Sequence, residues 1–286
     1  MLSNKRQKIN NDYPIDEYSI DDYPIDDYPI DEGMYSYIYN CKINKNIVIK
    51  IPKKEKDLNN EALIYNKLKD LDCVIKVHAI IYDMNKINCI KIIMEKAIYN
   101  LFDYIRNLSD EKHTLKNIIE IYKKVCIIIN KIHKKKVWHL DIKLDNILVT
   151  KNNELLICDF GNSEYNYKNE KFCQGPIFCK PIPRHILAKA EDKNNSFDMF
   201  ECEHWSLGIF AFELVFLKEN IILKEKYKSY NILYNWWNNF IENPHHNYIK
   251  PPLNELGQDE LLDFLKITNN ILENKTNIEN IIEKLS

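Results

Sequence analysis

Between Tyr35 and Ile51 the chain reads "YSYIYNCKINKNIVIKI", with Tyr, Ile and Val alternating against polar positions. Alternation at period two predicts two or three antiparallel strands with turns at Asn-Lys. Residues 57–70 place apolar side chains at 58, 62, 65 and 68, the spacing of a helix with one buried face. "VIKVHAIIYD" and "INCIKIIMEKA" then read as two more strands. Further along, the period changes. Leu115, Ile118, Tyr122, Val125, Ile129 and Ile132 mark one apolar stripe along a long helix. Residues 204–217 and 259–285 also read as helical. The pattern predicts an α+β protein: a small β-rich lobe over about 31–95, a larger helical lobe over about 98–286, and a cleft between them.

Residues 12–31 follow neither period. They repeat every five residues, with acids bracketing Tyr-Pro-Ile, and hold eight acids and no base. Five residues are too few for a solenoid unit, which needs about 20. A Pro in each of three units blocks helix and sheet ladders. The expectation for residues 1–30 is a disordered acidic arm. The alternative is a segment that docks a partner or lies on a basic groove and inhibits.

The chain has 286 residues, 45% hydrophobic and 29% charged, within the range of soluble globular proteins. A net charge of −2 gives no reason to expect nucleic acid or a membrane surface as partner. No apolar run reaches the roughly 18 residues of a bilayer span. The start, "MLSNKRQKINNDYP", lacks the apolar centre of a secretory signal. The eight Cys form no CxxC pair and read as reduced thiols. An intracellular location, cytoplasmic or nuclear, follows as an expectation. Lys, Asn and Ile are abundant, and the arginines are Arg6, Arg106 and Arg184. That bias fits an AT-rich coding sequence, as in a large DNA virus or a parasite; for a virus, the location becomes host cell or virion.

The chemistry is concentrated in "VWHLDIKLDNILVTKNNELLICDFG", residues 137–161. Transfer of a phosphoryl group to a hydroxyl needs phosphates held in place, a bound Mg²⁺ and a carboxylate to accept the proton. Carboxylate and amide oxygens are hard ligands for Mg²⁺. Lys anchors phosphate as a point charge. This stretch supplies Asp141, Lys143, Asn146 and Asp159.

"HLDIKLDN" resembles the catalytic loop of eukaryotic-type protein kinases of the Ser/Thr class, and "DFG" lies thirteen residues past Asn146. The resemblance implies Asp141 as catalytic base, Lys143 as the catalytic-loop lysine found in Ser/Thr kinases, and Asn146 and Asp159 as Mg²⁺ ligands. "IVIK" resembles the strand whose Lys, here Lys50, holds the phosphates, and Glu61 falls on its ion-pair partner. "IIMEKA" resembles the last strand and hinge, with Met94 as gatekeeper and Glu95 to Ala97 offering backbone bonds to adenine. Ile38 and Val48 above and Leu148 below would sandwich ATP, and Gly33 belongs to the phosphate loop. "EHWSLGIFAFEL" resembles the central helix of the large lobe. The family implies ATP and Mg²⁺ as cofactors and a protein as substrate. Asp145 takes a peripheral place, and His139 supports the loop from the core.

Several positions depart from the pattern. Leu140 replaces the Arg that reads an activation-loop phosphate. Of three loop glycines only Gly33 survives, with Asp31 and Ser36 at the other positions, and Asp31 and Glu32 repel phosphate unless they point away. Pro176 stands for a Thr, Lys275 for a buried Arg, and no Glu follows Pro181 or Pro183. Glu203 replaces an Asp that braces the catalytic loop. The polar catalytic set is complete, so the expectation is an active, divergent kinase; the alternative is a pseudokinase, a binding or scaffold protein.

Overall fold

A computed structural model of the chain describes residues 23–33, 35–53, 58–83, 85, 87–165, 199–216, 258–272 and 276–286. Pro176, Pro181, Pro183 and Lys275 lie outside the described residues. The chain divides into two compact units, one reaching Ala97 and including Asp159–Gly161, the other holding the rest.

The first unit is built on an antiparallel sheet in the order β1-β2-β3-β5-β4. Its strands are β1 (Asp31–Glu32), β2 (Ser36–Asn40), β3 (Ile47–Pro52), β4 (Val77–Tyr82) and β5 (Cys89–Glu95). The alternating segment therefore yields two strands, β2 and β3. Their turn is closed by Asn44, whose side-chain oxygen accepts from Asn46 N at 2.9 Å. Helix α1 (Asn59–Leu68) has no side-chain cap at its start. It is held instead by burial of Ala62, Ile64, Tyr65 and Leu68, each worth roughly 1–3 kcal/mol.

The arm departs from expectation. Tyr23 and Ile25 pack on a buried cluster of Cys41, Ile47, Ile49, Ala79, Ile81 and Ile93. Ile25 forms a bridge with Cys41, and Ile30 N donates to Ile38 O at 2.7 Å. The segment expected to be disordered as far as residue 30 is thus seated on the sheet from Tyr23 onward. Acid count argued for solvent, but Tyr and Ile two residues apart share one face of an extended chain, and that face is apolar. Pro costs nothing on an edge, where its missing N–H has no neighbour.

The second unit is mainly helical: α2 (Leu101–Asn107), α3 (Leu115–Lys134), α4 (Met199–Phe216), α5 (Gln258–Leu272) and α6 (Ile278–Lys284). All six stripe residues of α3 are buried. Thr114 caps it, accepting from Asn117 N at 3.3 Å. Tyr122 on α3 meets Phe264 on α5 edge to face, with centroids 5.6 Å apart. The single helical pattern over 259–285 resolves into two helices, because Asn277 caps α6 by accepting from Asn280 N at 2.9 Å. Short strands complete the unit: β6 (Tyr99–Asn100), β8 (Ile147–Val149) and β9 (Leu155–Ile157) in one sheet, and β7 (Val137–Trp138) with β10 (Glu164–Tyr165). Among the described residues no helix is long and apolar enough to cross a membrane.

Candidate active site

In the first unit, β3 and α1 bring Lys50 and Glu61 together. Lys50 is 6% exposed and Glu61 2%, so neither charge is left to water. Lys50 Nζ lies 2.8 Å from Glu61 Oε1 and 2.7 Å from Oε2. Only Oε1 has hydrogen-bond geometry; Oε2 contributes Coulomb attraction. The same Nζ lies 2.8 Å from Asp159 Oδ1. Burial alone pushes the Lys50 ammonium toward neutrality, and the two carboxylates more than reverse that, so its pKa is raised. Burial pushes the Glu61 carboxyl up, and the charge of Asp159 adds to it against the pull of Lys50. One ammonium between two carboxylates leaves an excess of negative charge.

Asp159 has a left-handed backbone, φ 63°, in a segment pinned by Tyr65. The Tyr65 hydroxyl accepts from Asp159 N at 3.2 Å, and its ring meets the fully buried Phe160 edge to face at 5.2 Å. Tyr65 was legible only as an apolar position on α1. Its spacing of four from Glu61 puts both on one helix face, and that was the available signal. Gly161 stands where an added Cβ would lie 3.4 Å from Asp159 Oδ1, close to the limit of ordinary contact.

Gly33 is exposed, and its N–H donates to Ser36 O at 2.9 Å. A Cβ there would meet nothing nearer than 3.6 Å. The fold therefore has room for a side chain at Gly33. Glu32 is turned to Lys53, whose Nζ lies 2.5 Å away. Ile38 and Val48 are half-buried in β2 and β3. On β5, Met94 is buried and Glu95 exposed. Glu95 N already donates to Lys76 O at 2.9 Å and is not open to a ligand. Ala97 is half-buried at the end of the unit.

In the second unit the catalytic-loop residues converge on Asp141. Lys143 Nζ donates to Asp141 Oδ2 at 2.8 Å, and Asn146 Nδ2 donates to the same oxygen at 3.0 Å and to Asp141 O at 2.8 Å. The short 3-10 turn Leu144–Asn146 sets the Asn reach. Leu148, two residues on, is half-buried in β8. His139 is fully buried. Its Nδ1 accepts from Asp141 N at 3.2 Å, so Nε2 carries the hydrogen and donates to Cys158 O at 2.9 Å. Asp145 is exposed.

Leu140 is buried, with φ 60°, a conformation that costs Leu on the order of 1–3 kcal/mol. Glu203 on α4 holds it: Oε1 accepts from Leu140 N at 2.8 Å. The other oxygen of Glu203 pairs with His133 Nε2 near the end of α3. Glu203 is fully buried, yet its pKa is lowered: burial pushes it up, and the His133 contact together with the Leu140 N–H outweighs that. The sequence pointed to Glu203 but missed His133, whose only signal was its place six residues before His139.

A family profile described as the protein kinase domain matches residues 28–277. The probable serine/threonine-protein kinase MARK-B of Dictyostelium discoideum is 30% identical over 187 residues, 62% of this chain and 24% of that protein. The serine/threonine-protein kinase SKS1 of Saccharomyces cerevisiae is 27% identical over 142 residues, 45% of this chain and 28% of that one. The CBL-interacting serine/threonine-protein kinase 12 of Arabidopsis thaliana is 25% identical over 199 residues, 64% and 38%. The chain thus spans well under half the length of these relatives.

Proposed function

Since the chain belongs to the protein kinase domain family, matched over residues 28–277, we propose that it transfers the γ-phosphoryl group of ATP to Ser or Thr hydroxyls of a protein. The observation that carries this reading is the buried Lys50, held by Glu61 and Asp159 at 2.7–2.8 Å. A buried lysine fixed between two carboxylates is preorganised to meet phosphate oxygens as a point charge. Asp141 accepts the proton of the attacking hydroxyl, whose oxygen bonds to γ-phosphorus as the bond to the β-phosphate oxygen breaks and ADP leaves. Lys143, 2.8 Å from Asp141, keeps that carboxylate in place.

The residues fit magnesium as well. Lys50, Glu61 and Asp159 carry an excess of one negative charge, which a cation offsets, and the Asp159 side chain is 44% exposed. Both hydrogen bonds of the Asn146 side chain use its nitrogen, which leaves its oxygen as the atom a cation could use. Asp159 and Asn146, which the family resemblance assigns to Mg²⁺, are the residues that would hold it. When bound, the ion neutralises phosphate charge. Among the described residues no cluster of three or more His, Cys, Asp or Glu forms a metal cage. Mg²⁺ bound mainly through phosphates and one or two carboxylates needs none.

Purified full chain with γ-labelled ATP, Mg²⁺ and generic protein substrates tests this. We expect label on Ser and Thr that is lost in Asp141→Asn. Measurable ATP binding with no transfer above the Asp141→Asn background would replace this reading with that of a binding protein.

A regulatory expectation follows from Leu140, an apolar buried residue that cannot make a charge-assisted bond to a phosphate. Phosphatase treatment is expected to leave activity toward an outside substrate within about twofold. A tenfold loss, about 1.4 kcal/mol in barrier, would assign phosphate reading to another base such as Lys171 or Lys180, both outside the described residues.

A further inference from the structure

The acidic arm consists of near-identical units, and the structure seats one of them. Aligned on tyrosine, the units are 12–16, 17–21, 22–26 and 27–31. The third is seated. Pro24 has no N–H to give, and its carbonyl accepts from Lys42 N at 2.9 Å. Asp26 donates its N–H to Asn40 O at 3.1 Å, and its carboxylate accepts from Asn40 Nδ2 at 3.2 Å. Asp27, the first residue after the unit, pairs with Lys42 Nζ at 2.7 Å. Tyr23 and Ile25 supply the apolar contacts. The edge at Asn40–Lys42 thus reads, in order, an aromatic ring, a proline carbonyl, a branched apolar side chain and two acids. The fourth unit is not seated in this way: Tyr28 is 83% exposed and Ile30 49%. The first unit, with Tyr13, Pro14, Ile15, Asp16 and then Glu17, repeats each feature that the seated unit uses. In the second, Ser19 takes the place of Pro.

We propose that the sheet edge at Asn40–Lys42 is a binding surface for Tyr-Pro-Ile-Asp units, and that Tyr13–Glu17 of the same chain exchanges with Tyr23–Asp27 upon it. The contacting residues are the same in the two registers apart from Glu17 in place of Asp27. That change falls on an exposed ion pair, with side chains 47% and 79% exposed, which contributes little. The registers differ mainly in the chain between the bridged Ile and β1: residues 26–30 after Ile25 in one, 16–30 after Ile15 in the other. A loop roughly threefold longer lowers the weight of the second register by about fivefold. Both are therefore populated. The surface shares no residue with Lys50, Glu61, Asp159 or the catalytic loop, so the inference stands whether or not the proposed activity does.

The bridge geometry supplies the test. Ile25 and Cys41 are flanked by the Lys42 N to Pro24 O and Asp26 N to Asn40 O bonds, which makes them a non-hydrogen-bonded antiparallel pair. Such pairs hold Cα atoms about 4.5 Å apart, within reach of a disulfide. In the full chain under mild oxidation, Ile25→Cys is expected to cross-link to the native Cys41, as mapped by peptide mass spectrometry. Ile15→Cys, which leaves every seated contact intact, is expected to cross-link to Cys41 within one chain at about one fifth of that initial rate. Adding Ile25→Asp, which places a charge on the apolar cluster, is expected to raise the Ile15→Cys rate several-fold. Ile9→Cys lies outside the units and sets the background of random collision. A rate for Ile15→Cys no higher than that for Ile9→Cys, with Ile25 intact and with it replaced, overturns the exchange. Cross-links that join two chains also overturn it and assign the surface to pairing between copies. Failure of Ile25→Cys to reach Cys41 overturns the surface itself.

Discussion

Replacing Asp159 by Asn is expected to lower Mg²⁺-dependent phosphoryl transfer by about a thousandfold, about 4 kcal/mol in barrier, the scale of losing one preorganised charge contact to a transition state. Asn keeps the shape of the side chain and an oxygen for Lys50, which lies 2.8 Å from Asp159 Oδ1. What it removes is one of two negative charges around the buried ammonium, and with it the excess charge that suits a cation. The Phe160 packing on Tyr65 and the Tyr65 bond to Asp159 N involve no carboxylate, so the fold should hold. Thermal melting of the variant is expected to match wild type while transfer is lost. Asp145→Asn, at an exposed position in the loop that carries Asp141, serves as control and should retain activity. Equal transfer by Asp159→Asn and wild type would remove Asp159 from the metal site.

The second large effect is on stability and centres on Glu203. Glu203→Gln keeps an acceptor for Leu140 N but deletes the charge that faces His133 in a fully buried position. Breaking a buried pair by removing one partner costs about 3–5 kcal/mol. At about 2–4 °C per kcal/mol for a chain of this size, the melting temperature should fall by roughly 6–20 °C at neutral pH. The pH dependence has a defined sign. The folded-state pKa of Glu203 is lowered from its ordinary 4.5. Its stabilisation is therefore full above about pH 4.5 and is lost as pH falls through the lower folded value. Melts of wild type and variant should differ above about pH 4.5 and converge in stronger acid. A gap of equal size at every pH would mean that the carboxylate charge contributes nothing. Activity should fall too, because Glu203 holds the strained Leu140 next to Asp141.

What the sequence determined by itself is local and periodic. The α3 stripe from Leu115 to Ile132 is buried as its spacing requires, since a period of 3.6 leaves one face for the core. The β2–β3 hairpin and strands β4 and β5 follow from alternation and branched residues for the same kind of reason. Lys50, Glu61, Asp141, Asn146 and Asp159 were singled out by their resemblance to kinase motifs, and the structure groups Lys50 with Glu61 and Asp159, and Asn146 with Asp141.

Tertiary structure alone decided how they are held. Lys50 and Asp159 are 109 positions apart, and their 2.8 Å contact has no local signature. Tyr65 read as one more apolar residue, because a hydroxyl bonded to a distant backbone N–H leaves no trace in periodicity. His133 gained meaning only when α4 carried Glu203 to it, 70 positions on. The arm shows the same limit from the other side. Its acids and prolines, with no base among them, made composition favour solvent. The outcome at Tyr23–Asp27 was set instead by an apolar face from Cys41, Ile47, Ile49, Ala79, Ile81 and Ile93, with Asn40 and Lys42 placed to receive it. Non-local contacts require two distant segments to be read together, and a one-dimensional pattern carries only the half of each contact that lies within it.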